Sequence, residues 1–317
     1  MKLHLLTFLT AFGLSLGLCL LLIPLLKKLG AGQNILSYVK EHESKSGTPT
    51  FGGLAFIPAA ILSAILFERE KNRTFLLTLV IGGAYLAVGF LDDFLKKKHR
   101  DNLGLTATQK FVFQAVIAAF SGWFCFKNGL TTLRLPFFNL SFNLGWGILP
   151  LAVFVFLATV NGVNLTDGLD GLAAGVSAPY FLFVGLILVA TAAEAGLASV
   201  CFSLVGALTA YLLFNSPKAS VFMGDTGSLS LGGFAACVTL FSGNALFIPL
   251  IGVMFVVTVI SVILQVIYYK KTGGKRIFKM SPVHHHFQKC GFAESKISYA
   301  YFTVTLLMGT LCLLSVL

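Results

Sequence analysis

The chain has 317 residues, of which 56% are hydrophobic and only 11% charged, and its formal net charge is +11. Soluble domains carry about 25% charged residues, so this composition excludes a soluble enzyme, a disordered chain and an ordinary nucleic-acid-binding domain. In a membrane protein an excess of Lys and Arg is first of all an orientation signal.

Windows of about 17 to 25 apolar residues are long enough to cross the hydrocarbon core as helices. Ten are legible, near 5–26, 51–67, 75–91, 109–126, 144–160, 171–190, 195–214, 229–243, 245–269 and 298–317. The expected fold is therefore an all-α polytopic membrane protein of about ten transmembrane helices, a single domain over 1–317. The first window is too long for a secretory leader, runs into Lys27-Lys28 and lacks a small-x-small cleavage site; it reads as a first span. The loop after it ends Lys45-Ser46-Gly47-Thr48-Pro49-Thr50-Phe51-Gly52-Gly53, where Lys45 and backbone N–H groups could cradle an anion.

The third window ends in Leu91-Asp92-Asp93-Phe94-Leu95-Lys96. A solvated helix terminus would explain a lone Asp pair, but charges beside hydrocarbon are costly unless paired or used. Lys96 lies one helical turn from both carboxylates. Residues 127–143, with Asn-Gly and alternating side chains, suit a short hairpin on the opposite side. After the fifth window comes Asn161-Gly162-Val163-Asn164-Leu165-Thr166-Asp167-Gly168-Leu169-Asp170-Gly171. A polar turn would use these residue types too. Here, though, two carboxylates lie between apolar spans with no Lys or Arg close in sequence, and they need a cation or hydrogen-bond donors.

Asn215-Ser216-Pro217 follows the seventh window, and Phe222-Met223-Gly224-Asp225-Thr226-Gly227 opens the eighth. Asp225 is the only acid from 195 to 293; in a Gly-rich turn it is a plausible Mg²⁺ ligand, since that ion takes few protein carboxylates and fills its shell with water and phosphate oxygens. The last interhelical loop runs from Lys270-Lys271 through Lys275-Arg276 and Lys279 to Pro282-Val283-His284-His285-His286-Phe287. Consecutive histidines lack zinc spacing and suit donation to anionic oxygens. The basic run alone would serve equally for anionic lipid. The six cysteines are scattered without a CxxC pair and read as small apolar side chains.

If the first helix starts outside, 17 of the 23 Lys and Arg residues fall on the cytoplasmic side, which places both termini outside. All six aspartates and five of the six histidines share that side. Carboxylates gain nothing from the orientation rule, so their one-sidedness points to an active site on the cytoplasmic face. Carboxylates for Mg²⁺, cations for phosphate oxygens and glycines for close approach together match phosphoryl transfer, and the apolar body suggests that one reactant is a lipid.

The strings TPTFGG, LDDFLK, NGVNLTDGLDGLA, VFMGDTGSL and RIFKMSPVHHHF, in this order, resemble the phospho-N-acetylmuramoyl-pentapeptide-transferase family of the polyprenyl-phosphate N-acetylhexosamine-1-phosphate transferase superfamily, from about Lys45 to Phe292. The resemblance implies Mg²⁺-dependent transfer of phospho-MurNAc-pentapeptide from UDP-MurNAc-pentapeptide to undecaprenyl phosphate, giving lipid I and UMP, in the bacterial inner membrane. It implies a homodimer, membrane lipid as surroundings and no nucleic-acid partner. It also implies catalytic parts for Asp92, Asp93, Asp225 and His284, with Asp93 the base for the lipid phosphate and Asp225 the metal ligand. Substrate contacts are implied for Lys45, Thr50, Lys96, Asn164, Asp167, Asn215, Phe222, Gln265, His285 and His286. Phe51, Gly162 and Ser281 depart from the usual residues without removing a polar group. Two rivals are a sister transferase using another UDP-N-acetylhexosamine, which lacks the contiguous HHHF, and an ion-coupled transporter, which would carry its acids near the midplane.

Overall fold

The computed structural model describes residues 1–30, 32, 47–99, 104–138 and 140–317. In chain order the helices are α1 (Lys2–Lys28), α2 (Gly53–Phe67), α3 (Arg73–His99), α4 (Ala107–Lys127), α5 (Ile148–Thr166), α6 (Leu172–Ala190), α7 (Ala195–Asn215), α8 (Gly224–Phe241), the single turn α9 (Ile248–Ile251), α10 (Val253–Lys271), α11 (Val283–Lys289) and α12 (Glu294–Leu314). Among the described residues eight of these are long and apolar enough to cross a membrane: α1, α3, α4, α5, α6, α7, α10 and α12. The other two expected spans coincide with α2, of 15 residues, and with α8, of 18.

Burial explains the composition of α8. It is rich in Gly, Ser and Thr, and almost every residue from Thr226 to Phe241 is buried, because α2, α3 and α5 pack around it. Small side chains let helix backbones approach closely where lipid offers no hydrophobic drive for association. In α6 and α7, 83% and 78% of the apolar window is buried, against 28% or less in α1, α4, α10 and α12. The first group forms the centre; the second presents Leu, Ile, Val and Phe outward, as lipid contact requires.

Most hydroxyls inside the bundle are satisfied without water, Ser177 and Tyr301 being exceptions among the described residues. Thr78, Thr166, Thr239 and Thr305 donate to carbonyls one turn back, and Ser15, Ser63 and Ser230 donate across helices to Ala207, Thr7 and Gly82 carbonyls. Leaving such groups unpaired in hydrocarbon would cost several kcal/mol each (about 2–7).

The bundle has two distinct polar ends. At one, Asn72 and Thr74 donate to Glu194, and Ser199 donates to Glu68. The expected hairpin lies there too: β1 (Thr132–Leu135) pairs antiparallel with β2 (Leu140–Asn143), Thr132 opposite Asn143, and Arg134 N donates to Gly243 O beyond α8. The other end collects the C-termini of α1, α3, α5, α7 and α10 with the N-termini of α2, α4, α6, α8 and α12, and the segments TPTFGG, LDDFLK, NGVNLTDGLDGLA, VFMGDTGSL and RIFKMSPVHHHF lie there.

Candidate active site

Three helix ends set the centre. Asp92 and Asp93 lie two turns before the end of α3, and both are buried, at 0% and 4% exposure. Asp93 caps α8: Oδ1 accepts from Asp225 N (3.2 Å), and Oδ2 accepts from Thr226 N (2.9 Å) and Thr226 Oγ1 (2.6 Å). A carboxylate there satisfies orphan N–H groups and the positive end of the helix dipole. Asp92 turns the other way, its Oδ1 accepting from Leu105 N at 2.7 Å.

Asp225 stands in the first turn of α8, where Asn164 Nδ2 of α5 donates to its Oδ1 (2.8 Å) and to Ser228 Oγ (2.9 Å). Two ammonium groups bridge the acids. Lys96 Nζ is 2.6 Å from Asp92 Oδ2, 3.1 Å from Asp225 Oδ2 and 3.9 Å from Asp93 Oδ1. Lys110 Nζ is 2.9 Å from Asp92 Oδ2 and 2.5 Å from Asp225 Oδ2. The i+3 and i+4 placement of Lys96 is as its spacing requires. Lys110 was missed in the sequence, yet a signal was present: Thr106-x-x-Gln109 forms a capping box that starts α4 and puts Lys110 on the first turn.

The approach of α8 depends on glycine. Gly224 has φ +67°, and a Cβ there would collide with Asp93 Oδ2 and Thr50 Oγ1. Residues 49–53 run alongside: Phe222 N donates to Pro49 O (2.9 Å), Gly52 N to Phe222 O (2.8 Å) and Gly53 N to Met223 O (3.1 Å). TPTFGG thus fastens the turn that carries Asp225.

The model for glycosyl transferase family 4 matches residues 74–243, a stretch that contains the whole Asp–Lys–Asn junction. The chain belongs to that family. Among its curated relatives are phospho-N-acetylmuramoyl-pentapeptide-transferases of Clostridium perfringens (strain SM101), 44% identical over 90% of this chain and 88% of the relative, and of Caldanaerobacter subterraneus, 45% identical over 90% of each. That of Listeria monocytogenes (strain EGD-e) is 42% identical over 95% of this chain and 94% of the relative.

The part of the glycosyl transferase family 4 chain that follows the matched segment adds the histidines. His284 is fully buried, and neither ring nitrogen has a hydrogen-bond partner among the described residues. Its ring lies 4.5 Å from that of His285, and a Cβ at Gly168 would run into His284 Nε2, so the Asp167-Gly168 turn and the histidines share one surface. Burial and then neighbouring His285 lower the pKa of His284 to about 3, leaving it neutral. The Asp167 carboxyl is held well above the ordinary range, first by burial and then by Asp225, Asp93 and Asp170, which ties it electrically to the centre.

Asp167 and Asp170 lie in the turn between α5 and α6. Asp170 Oδ2 accepts from Lys218 N and Ala219 N (3.1 and 3.0 Å). Asn215 braces the same corner, accepting from Gly171 N and donating to Val221 O. Gln265 accepts from Ile277 N and Phe278 N, and His286 Nδ1 accepts from Lys279 N; both hold the basic loop. Phe222 acts through its backbone, its ring half-buried. Lys45 lies outside the described residues. The cysteines are free, five buried and Cys290 exposed.

Proposed function

We propose that this protein transfers phospho-MurNAc-pentapeptide from UDP-MurNAc-pentapeptide to undecaprenyl phosphate in the bacterial inner membrane, releasing UMP and forming lipid I. The observation that carries this reading is the junction of three carboxylates and two ammonium groups from α3, α4 and α8. The name shared by relatives 42–45% identical over nine-tenths of the chain supports the muramoyl donor over that of a sister transferase.

Both reactants are phosphate anions, so the protein's task is to neutralise charge and align two groups. Lys96 and Lys110, already between Asp92 and Asp225, supply positive charge at the point of approach. Oxygens of Asp92, Asp93 and Asp225 lie within 4.8 Å of one another, a hard all-oxygen donor set that fits Mg²⁺. With Asp93 committed to α8, Asp225 and the facing Asp92 would hold the ion, which when bound supplies Lewis-acid neutralisation of the pyrophosphate. Asn164 fixes the rotamer of Asp225. Asp93 Oδ1, whose one hydrogen bond is long, takes the proton of the lipid phosphate, which then attacks the donor directly. Neutral His284, buried with unpaired nitrogens, and His285 offer donors to phosphate oxygens on the Gly168 side.

The same reading sets ten crossings, both termini outside, the aspartates facing the cytoplasm, and a homodimer. The test is UMP release from membranes given each sugar nucleotide in turn. UDP-MurNAc-pentapeptide is expected to release UMP; release from UDP-GlcNAc alone would assign the chain to the sister reaction.

A further inference from the structure

Between Lys110 and Lys127, α4 carries a single carboxamide, Gln114, and it is only 2% exposed. A polar side chain inside a membrane helix is costly unless paired or used. Gln114 Oε1 accepts from Asn161 Nδ2 of α5 at 2.7 Å, and the Gln114 main-chain carbonyl accepts from the Tyr85 hydroxyl of α3 at 3.3 Å. Tyr85 is itself pinned: its ring stacks on Phe156 of α5 at 6.2 Å, and a Cβ at Gly233 of α8 would run into it.

These residues lie in register with the reaction centre. Gln114 is one helical turn on from Lys110, Asn161 is one turn before Asn164, and Tyr85 is two turns before Asp92. Lys110 and Asn164 both reach Asp225. The contacts therefore close a ring that runs from Asp225 through Lys110, Gln114, Asn161 and Asn164 back to Asp225. Pairing the Asn161 amide does not account for it, because Asn161 Nδ2 also donates to Leu157 O of its own helix at 2.8 Å. Further along the two helices, a Cβ at Gly122 of α4 would lie 3.1 Å from that of Ala152 on α5. Packing of that kind fixes the spacing of two helices, whereas a hydrogen bond, which weakens steeply when bent, fixes their rotation and stagger. The rotation of α4 is what aims Lys110 at Asp225.

We propose that Gln114 is a positioning residue for the transfer reaction: its bond to Asn161 sets the rotation of α4 against α5 and so holds the Lys110 ammonium against Asp225. It touches no substrate and acts through Lys110. Its effect on turnover rests on the transferase reading; its effect on Lys110 does not.

The test takes two readouts from the full-length protein. The first needs no turnover: lysines are acylated with a limiting amount of a water-soluble N-hydroxysuccinimide ester and quantified by mass spectrometry, with Lys110 normalised to Lys127 at the far end of the same helix. Gln114→Met, close in volume but without the amide, is expected to raise labelling of Lys110 severalfold and to leave Lys96, on α3, unchanged. The second readout is UMP release from UDP-MurNAc-pentapeptide with undecaprenyl phosphate. There the same variant is expected to lower kcat by about 10- to 100-fold, the scale of a misplacement by about an ångström, with little change in donor KM. Gln114→Asn with Asn161→Gln keeps the combined length of the pair and is expected to restore both readouts, while each change alone loses them. If Gln114→Met does not fold, Gln114→Asn alone, one methylene too short to reach, serves in its place. A wild-type kcat in the folded variant overturns the proposal, whatever the labelling. So does a joint rise in Lys96 and Lys110 labelling that the exchanged pair fails to reverse, since that is general loosening of the bundle. A wild type that releases no UMP refutes the transferase reading, and the labelling alone then decides whether Gln114 aims Lys110.

Discussion

At the scale of single residues, Asp93 does two things at once. Its carboxylate caps α8 and so sets where Asp225 stands, while Oδ1, held only by the long hydrogen bond from Asp225 N, is the less committed basic oxygen. Asp93→Asn keeps the volume but removes the basic site, and turnover is expected to fall by about 10²–10⁴, the range for a lost general base. Nucleotide binding by calorimetry should persist; a phosphoryl-aspartate trapped in quenched wild-type enzyme would contradict direct attack. His284 gives a stability signature. Its folded pKa of about 3 lies below the unfolded 6.5, so acid protonates the unfolded chain first. Its contribution is therefore complete above pH 6.5 and is lost as pH falls toward 3. His284→Gln is expected to flatten the decline in Tm between pH 6.5 and about 5; an unchanged decline would show that other groups control it.

At the scale of elements, the site is built from helix ends, and the start of α4 is the most exposed to test. Thr106 Oγ1 accepts from Gln109 N and Gln109 Oε1 accepts from Thr106 N, at 3.2 and 2.9 Å, holding Lys110 on the first turn. Thr106→Ala should cost about 1 kcal/mol of helix stability and lower kcat severalfold with little change in donor KM; loss of KM alone would mean that Lys110 serves binding only. Each of the ten apolar windows coincides with a helix, because long apolar runs are a local signal, and the 127–143 hairpin was legible for the same reason. Asp92, Asp93, Lys96 and Asn164 could be named from motifs, but their convergence with Asp225 crosses 61 residues of chain from Asn164 and 129 from Lys96. The bracing parts of Asn215 and Gln265 were illegible because each partners backbone groups of another loop. Lys110 looked like one more orientation charge, since nothing in its neighbourhood names a partner so distant.

At the scale of the molecule, the one-sided distribution of aspartates becomes a single surface where α3, α4, α5 and α8 meet, with the histidines of α11 beside it. That surface is read as cytoplasmic. Cys290 is the one exposed cysteine of six and lies at the end of α11, so a membrane-impermeant maleimide should label it in inside-out vesicles and not in intact cells. Labelling from outside would invert the topology. The central claim, that the Asp–Lys junction drives transfer to a lipid phosphate, is tested most directly by giving the purified full-length protein UDP-MurNAc-pentapeptide, undecaprenyl phosphate and Mg²⁺ and measuring UMP and lipid-linked product together. Equal amounts of both are expected from the wild type, and neither when acceptor or Mg²⁺ is omitted or when folded Asp225→Asn is used. Product from folded Asp225→Asn at the wild-type rate, or none from the wild type, would contradict it.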